Sequence, residues 1–469
     1  MMLEESYIKE RKMEVKNVKG TRDIFGKDST SFQYVESVMK AVAELYGFDE
    51  MRPPVLEHSE VFVRGVGEGS DVVRKEMYTF LDKGGRSLTL RPEFTAGIIR
   101  TIVQNKLYAT ADLPIKQYYS GPVFRYERPQ LGRYRQFNQF GVELVGANNP
   151  TLDVEVIVLG YTILATLGFT DVTLKINTLG DDKSREDYKA ALKDFFSQHI
   201  ENMCPDCKSR YELNPLRILD CKVKEDQEIV RHAPKINEYL SEEAQERFEK
   251  VCRSLELLEI PFEVDDTLVR GLDYYSETVF EFHYTSKKGQ NYGAIGAGGH
   301  YDKLVSEFGG PDMHGVGFSF GIERVVNVMS DDEILPDNPN PLINYLIPLT
   351  EDENDAALMI ATALRVAGYR TEICLDGTKL GTMIKKAVKK NAKFAIIIGE
   401  SELEQNSVLV KNLSTSEQEL VGAGDLIEYI DSILESEKHE CECCGDDCDC
   451  DCDGDSEHCC CGHHHKKED

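Results

Sequence analysis

Between Ser31 and Leu45 the apolar residues Phe32, Val35, Val38, Met39, Val42 and Leu45 recur at three- and four-residue spacing, which predicts a helix with one buried stripe. Gly47 stops that helix, and the paired prolines of Met51-Arg-Pro-Pro-Val-Leu belong at a bend or a sheet edge. The period then shortens. Ser87–Thr95 reads as a strand ending in Arg91, Glu93 and Thr95 on one face, and Phe124–Gly146 as two alternating strands forming a hairpin. Asp153–Gly168 predicts a mostly apolar helix and Val172–Asn177 a strand. From Ser184 to Leu258 the chain is charged, helix-rich and without Gly-rich turns, as expected of an inserted helical module. Gly-rich strands return over Phe262–Tyr301, and Gly315–Met329 closes this core. Beyond the proline-rich linker from Leu335 to Leu342, strand and helix signals alternate through NYLIPL, DAALMIATALRVAG, YRTEICL, TMIKKAVKKNA, KFAIIIGE, SVLVKNL and AGDLIEYI. They predict a small α/β domain.

A chain of 469 residues is too long for one core and implies about three domains. The first dozen residues look like a polar leader rather than a signal peptide. No uncharged apolar run reaches the roughly 18 residues that would span a membrane, so a cytosolic protein without membrane association is expected. The net charge of −29 superficially argues against a nucleic-acid partner, yet 11 acids against 2 lysines fall in 440–469 alone. An acidic chain still binds RNA through a local basic patch. Lys385, Lys386, Lys389, Lys390 and Lys393 supply one, read as a single helical stripe. Of the 14 cysteines, nine lie from Cys441 onward; the other five suit reduced thiols better than a disulfide framework.

The hairpin carries the most chemistry. Phe137, Gln139, Gly141 and Glu143 share one face, opposite the apolar Phe140, Val142 and Leu144, below the guanidinium groups of Arg125, Arg128, Arg133 and Arg135. An aromatic plate, an amide, a gap and a carboxylate in a row make a floor for a flat, polar, phosphorylated ligand. The wording ERPQ-x-GR-x-RQF resembles motif 2 of the class II aminoacyl-tRNA synthetases, and that of the histidyl-tRNA synthetases in particular. Gly315-Val-Gly-Phe-Ser-Phe-Gly-Ile-Glu-Arg324 is similar to motif 3, with glycines 315 and 317 on a strand face that a ligand is expected to approach closely. Leu268-Val-Arg-Gly-Leu-Asp-Tyr-Tyr275 matches a signature of the histidine enzymes, and the helix and proline segment around Pro54 resembles motif 1, the dimer interface. The likeness runs from about Gly20 to Ile430.

The resemblance implies an α+β fold. An antiparallel-sheet catalytic core would take 1–183 and 262–334, and a helical insertion 184–261. A linker at 335–342 would lead to a C-terminal α/β anticodon-binding domain at 343–433, then a disordered tail at 434–469. It implies a homodimer that uses ATP and Mg²⁺ to form histidyl-adenylate and passes histidine to tRNA(His). In the family, Arg125 and Arg270 act at the α-phosphate and Arg324 at the γ-phosphate end. Glu127 and Arg133 bind other parts of ATP, and Phe137 stacks on adenine. Glu143 would meet the imidazole, with Tyr274, Tyr275 and Tyr301 around it, and Glu93, Thr95 and Gln139 would hold the α-amino group. The lysines Lys385, Lys386, Lys389 and Lys393 would neutralise tRNA phosphates. Two departures stand out: Gly298-Gly-His-Tyr-Asp-Lys-Leu carries His300 and Lys303 where the family commonly has arginine and glycine, and Phe94 replaces a common glycine.

Two cysteine groups are separate from this chemistry. Cys204-x-x-Cys207 with Cys221 fits zinc, with Cys252 or His232 as the fourth ligand, but no second CxxC accompanies it, and the resembled insertion domain, matched through NPLRILDCK, is not generally a metal site. The tail places Cys441, Cys443, Cys444, Cys448, Cys450, Cys452, Cys459, Cys460 and Cys461 beside His463, His464 and His465. That density chelates soft or borderline metals. Two other readings of the chain remain: a non-catalytic sensor of histidine or tRNA, and a metal buffer acting through the tail.

Overall fold

The computed structural model describes residues 15–442 except 68, 111, 129–131, 337–340 and 376–378; the side chains of 110 and 437–442 are also outside the description. The tail ligands expected to bind metal therefore lie outside the described residues, apart from the backbone of Cys441. The chain forms two compact units that divide between 337 and 338.

The first unit is built on an eight-stranded sheet in the order β1-β5-β6-β11-β10-β9-β7-β8. The strands are β1 (Asp49–Glu50), β5 (Ile115–Phe124), β6 (Gln136–Val145), β7 (Thr173–Thr178), β8 (Phe262–Val264), β9 (Ser276–Thr285), β10 (Asn291–Tyr301) and β11 (Gly315–Gly321). Only the outer pairs, β1 with β5 and β7 with β8, are parallel. A separate three-stranded sheet joins β2 (Leu56–His58), β4 (Ser87–Leu90) and β3 (Tyr78–Leu81), with β4 in the middle.

Alternation along β6 decides what each face of the large sheet does. Phe140, Val142 and Leu144 are fully buried against the helices Lys27–Leu45, Pro150–Thr166 and Ile322–Asp331. Phe137, Gln139 and Glu143 point to the opposite face, so a one-residue slip would exchange core for ligand floor. The Ser31–Leu45 stripe is a helix as expected, begun four residues earlier at Lys27, with Phe32, Val35, Met39 and Val42 inside. Asn149 caps the Pro150–Thr166 helix by accepting from the Thr151 N–H at 3.0 Å, with Pro150 in the first turn.

Ser87–Thr95 differs from its expectation. The strand ends at Leu90 and Thr95 is the first residue of the helix Thr95–Gln104. Pro92 disfavours continuation of the strand, and the Glu93 carboxylate accepts the backbone N–H groups of Thr95 and Ala96 at 2.6 and 3.0 Å, stabilising a helix start.

The helical segment has its own core of Tyr188, Leu192, Phe196, Leu216, Ile218 and Ile236. Its entry and exit are stitched together: Asp181 caps the helix Asp182–Ser197, Ser241 caps Glu242–Leu257, and the Ser241 hydroxyl donates to Asp181 at 2.5 Å. The last of these helices buries Val251 and Leu255 in the main core rather than in the helical module.

The second unit has the sheet order β13-β12-β14-β15-β16, with β12 (Asn344–Pro348), β13 (Thr371–Ile373), β14 (Phe394–Ile398), β15 (Ser407–Asn412) and β16 (Gln418–Gly422). β12 and β14 are buried along their whole length, as parallel strands covered on both faces must be. The edge strand β16 is not visible in the sequence pattern because Val421 is its only buried residue. The helix Leu426–Glu442 runs beyond 433. The lysines do not form one helical stripe: the helix Leu380–Lys389 buries Met383 and Ala387, and Asn391 at φ 53° breaks it before Lys393. Among the described residues no helix is long and apolar enough to cross a membrane.

Candidate active site

On the polar face of β6, β10 and β11 a cavity of about 360 Å³ opens, closed at its sides by the start of the Thr95–Gln104 helix and the 270–275 loop. Glu93, Thr95, Arg125, Glu127, Arg133, Phe137, Gln139, Glu143, Arg270, Tyr274, Tyr275 and Arg324 all line it. These residues are scattered over some 230 positions and converge here because the antiparallel sheet brings β11 beside β6 in register, Gly317 opposite Glu143.

At the inner end sits Glu143, 2% exposed. One carboxylate oxygen accepts from the hydroxyls of Thr95 at 2.6 Å and Tyr119 at 3.3 Å; the other accepts from Tyr301 at 2.9 Å. Burial pushes its pKa up to about 8, against the pull of the hydroxyls. Glu93, also buried, is pushed up by burial too, less the effect of the two N–H groups it accepts. Tyr301 does not line the cavity as expected: fully buried behind Glu143, it is a support for that carboxylate rather than a wall.

The glycines of β11 also act differently from expectation. A Cβ on Gly317 would lie 2.1 Å from the Glu143 carboxylate, and one on Gly315 2.3 Å from the Tyr301 ring. The space they open is filled by the protein's own acid and phenol, not left for a ligand.

Positive charge gathers at the other end. Arg125 is aimed by an Nε donation to the Pro92 carbonyl at 2.8 Å, and its guanidinium lies 5.4 Å from the centre of the Phe137 ring. Arg270 pairs with Glu281 and lies 5.7 Å from the centre of the Tyr275 ring, while its Nε is buried without a hydrogen-bond partner among the described residues. Arg324 donates to the Ala294 carbonyl. Burial, together with the charges of Arg133 and Arg125, holds its pKa below the ordinary arginine value, with Glu127 opposing. An arginine buried beside two others in this way marks a place where an anion is wanted.

Of the departures from the family pattern, His300 and Lys303 fall outside this lining, while Phe94 belongs to it. His300 is 1% exposed, with its ring nitrogens 2.8 Å from Asp153 and 2.9 Å from His314, and Arg247 donates to Asp153 at 3.0 Å. Lys303 pairs with Asp182 at 2.5 Å. Phe94 is buried and stacks on Tyr119 with ring centres 4.3 Å apart, helping to fix the phenol that reaches Glu143.

Tyr119 itself was missed in the sequence. Its signal is cross-strand: it sits opposite Gly141, the gap in the ligand row. Asp71 and Arg217, paired at 3.1 Å, also line the cavity and carry no local signature.

Residues 20–325 match the family model described as histidyl-tRNA synthetase, and 344–433 the one described as anticodon binding domain. A histidine–tRNA ligase of Lactiplantibacillus plantarum is 45% identical over 90% of this chain and 100% of its own length. One from Geobacillus thermodenitrificans is 44% identical over 88% and 97%. The apo histidyl-tRNA synthetase of S. aureus superposes with a TM-score of 0.76 at 35% identity, over 89% of this chain and 100% of that one. With the motifs, the antiparallel sheet and the convergent cavity in place, the chain belongs to the histidyl-tRNA synthetase family.

Proposed function

We propose that the cavity forms histidyl-adenylate, with each lining residue in the role its position supports. The chain is a histidine–tRNA ligase: a histidine carboxylate oxygen attacks the α-phosphorus of ATP and the bond to pyrophosphate breaks. The 3′-terminal hydroxyl of tRNA(His) then takes the histidyl group and AMP leaves. The observation that carries the assignment of roles is the polarity of one cavity, a buried carboxylate at one end and mutually repelling arginines at the other.

Arg125 and Arg270 take the α-phosphate and the charge that grows on it, Arg324 the γ-phosphate end, and Arg133 and Glu127, 3.3 Å apart, other parts of ATP. Phe137 stacks on adenine. Glu143, with Tyr274 and Tyr275 beside it, receives the imidazole; Glu93 and Gln139 hold the α-amino group. Thr95 is better placed to orient Glu143 than to touch substrate, since its hydroxyl is already donated there. Magnesium would arrive with the ATP phosphates and neutralise part of their charge; Glu127, lining the cavity, is the carboxylate suited to reach its water shell. Intact arginines and an anticodon-binding domain leave the sensor reading without support. Charging of a tRNA(His) transcript with labelled histidine tests the reading; failure to charge by folded protein would refute it.

Lys385 and Lys389 of the helix Leu380–Lys389 are exposed and are best placed for tRNA phosphates; Lys386 lies on the same helix and Lys393 beyond its end, and Lys390 is engaged with Glu372 at 2.5 Å. The compartment is the cytoplasm, where the tRNA is. Thiolate density alone predicts that the tail binds soft or borderline metal ions.

A homodimer is supported by the small sheet. One of its faces carries Leu56, Tyr78, Phe80, Leu88 and Leu90 in register, and Leu56 and Phe80 are 47% and 45% exposed. Phe80→Glu is expected to convert a dimer to a monomer in sedimentation velocity and to reduce charging at least tenfold. A dimer that persists would remove this face from the interface.

A further inference from the structure

The helical module contains a side-chain cluster that the ligase reaction does not use. The sulfurs of Cys204, Cys207 and Cys221 and a carboxylate oxygen of Asp226 all lie within 4.8 Å of one another. Cys204 and Cys221 sulfurs are 3.9 Å apart, and the Cys221 sulfur is 3.2 Å from Asp226. A tetrahedral ion with the usual zinc–sulfur bond sets its sulfurs about 3.8 Å apart, whereas a disulfide needs about 2.05 Å. All three cysteines are free thiols.

We propose that Cys204, Cys207, Cys221 and Asp226 form a structural zinc site. Three observations beyond the spacing support it. Cys204 is the N-cap of the helix Pro205–Leu213, and its sulfur accepts the Cys207 N–H at 3.4 Å, which fixes that sulfur at the helix start beside Cys207. Asp226 is 1% exposed, and among the described residues it has no lysine, arginine or histidine within ion-pair distance; its recorded partners are the Cys204 N–H and thiol groups. A buried carboxylate without a cation is costly, and a divalent ion supplies one. The donor set of soft sulfur with one carboxylate suits zinc, and on binding the three thiol protons go to solvent. Neither Cys252 nor His232, the fourth ligands suggested by sequence, belongs to the cluster; Asp226 takes that place.

The site has a structural consequence for the cavity. Cys207 and Cys221 bracket Arg210 and Arg217, which both pair with Asp71, at 3.0 and 3.1 Å. Arg217 and Asp71 line the cavity, so an ion holding both ends of 204–221 fixes one of its edges.

Crystals of the full-length chain grown with Zn²⁺ test this directly, because anomalous scattering at the zinc edge separates this site from any metal held by the tail. The expected result is a peak about 2.0–2.4 Å from all four ligand atoms. No peak there, or a Cys204–Cys221 disulfide in its place, would overturn the proposal. In solution, full-length Cys207→Ser/Cys221→Ser should hold one zinc fewer per chain than wild type, while Asp226→Cys, which completes a four-thiolate set, should keep it. Equal zinc in the wild type and the double variant would also count against the site. Neither readout depends on ligase activity, so this inference and the catalytic reading fail independently.

Discussion

Arg270→Ala is expected to lower histidine-dependent ATP–pyrophosphate exchange by about 10²-fold or more, with a smaller change in ATP binding. The α-phosphorus gains negative charge on its oxygens as the histidine carboxylate attacks, and no metal-free neutral group can offset it as well as a guanidinium already desolvated in the site. Arg270 has a buried Nε without a partner, and its ion pair with Glu281 fixes the direction in which the remaining donors point. Removing it leaves Glu281 with His283 at 2.8 Å, so the fold should persist with little change in melting temperature. Arg270→Lys keeps the charge but loses the planar fork, and should recover only part of the rate. Near-normal exchange in Arg270→Ala would remove the residue from the chemistry.

Glu143→Ala should reduce kcat/KM for histidine by about 10³-fold or more, because it removes the group proposed to pair with the imidazole and leaves the hydroxyls of Thr95, Tyr119 and Tyr301 without their acceptor. The pH dependence has a definite sign. With its pKa pushed up to about 8, Glu143 holds its proton in the empty site at neutral pH, and in the proposed role it would donate to the bare nitrogen of a neutral imidazole. Free imidazole protonates below about 6.5, so kcat/KM for histidine should fall on the acid side there and on the alkaline side above about 8. Glu143→Gln, a permanent donor, should be slower but lose the alkaline limb. The same group destabilises the folded chain as pH rises: the native state holds its proton up to about 8, whereas the unfolded chain releases it near 4.5. Its contribution to stability is therefore fullest below 4.5 and is lost through that window. An alkaline limb unchanged in Glu143→Gln would mean another group titrates.

Much of this site is legible in the chain because strand alternation is a strict rule. Phe137, Gln139 and Glu143 must share a face if Phe140, Val142 and Leu144 are core, and Arg125 and Arg324 stand at fixed offsets from glycines and acids. What escaped depends on partners far away in sequence. The glycines at 315 and 317 look like a ligand's clearance, but the space belongs to Tyr301 and Glu143. Thr95 reads as a strand residue until Glu93 is seen to accept its N–H and begin a helix. Tyr119 is one aromatic among many in β5 until Gly141 lies opposite it. Asp226, five residues past Cys221, is an ordinary acid in a charged helix until folding buries it among thiols. The lysine stripe failed for a local reason, a positive φ at Asn391 that helical periodicity does not register.

The most direct test of the central claim is ATP–pyrophosphate exchange by the purified full-length chain, run with each of the standard amino acids in turn. Exchange with histidine and background rates with the others is the predicted result. Exchange with a different amino acid, or none with any by folded protein that still binds histidine, would contradict it.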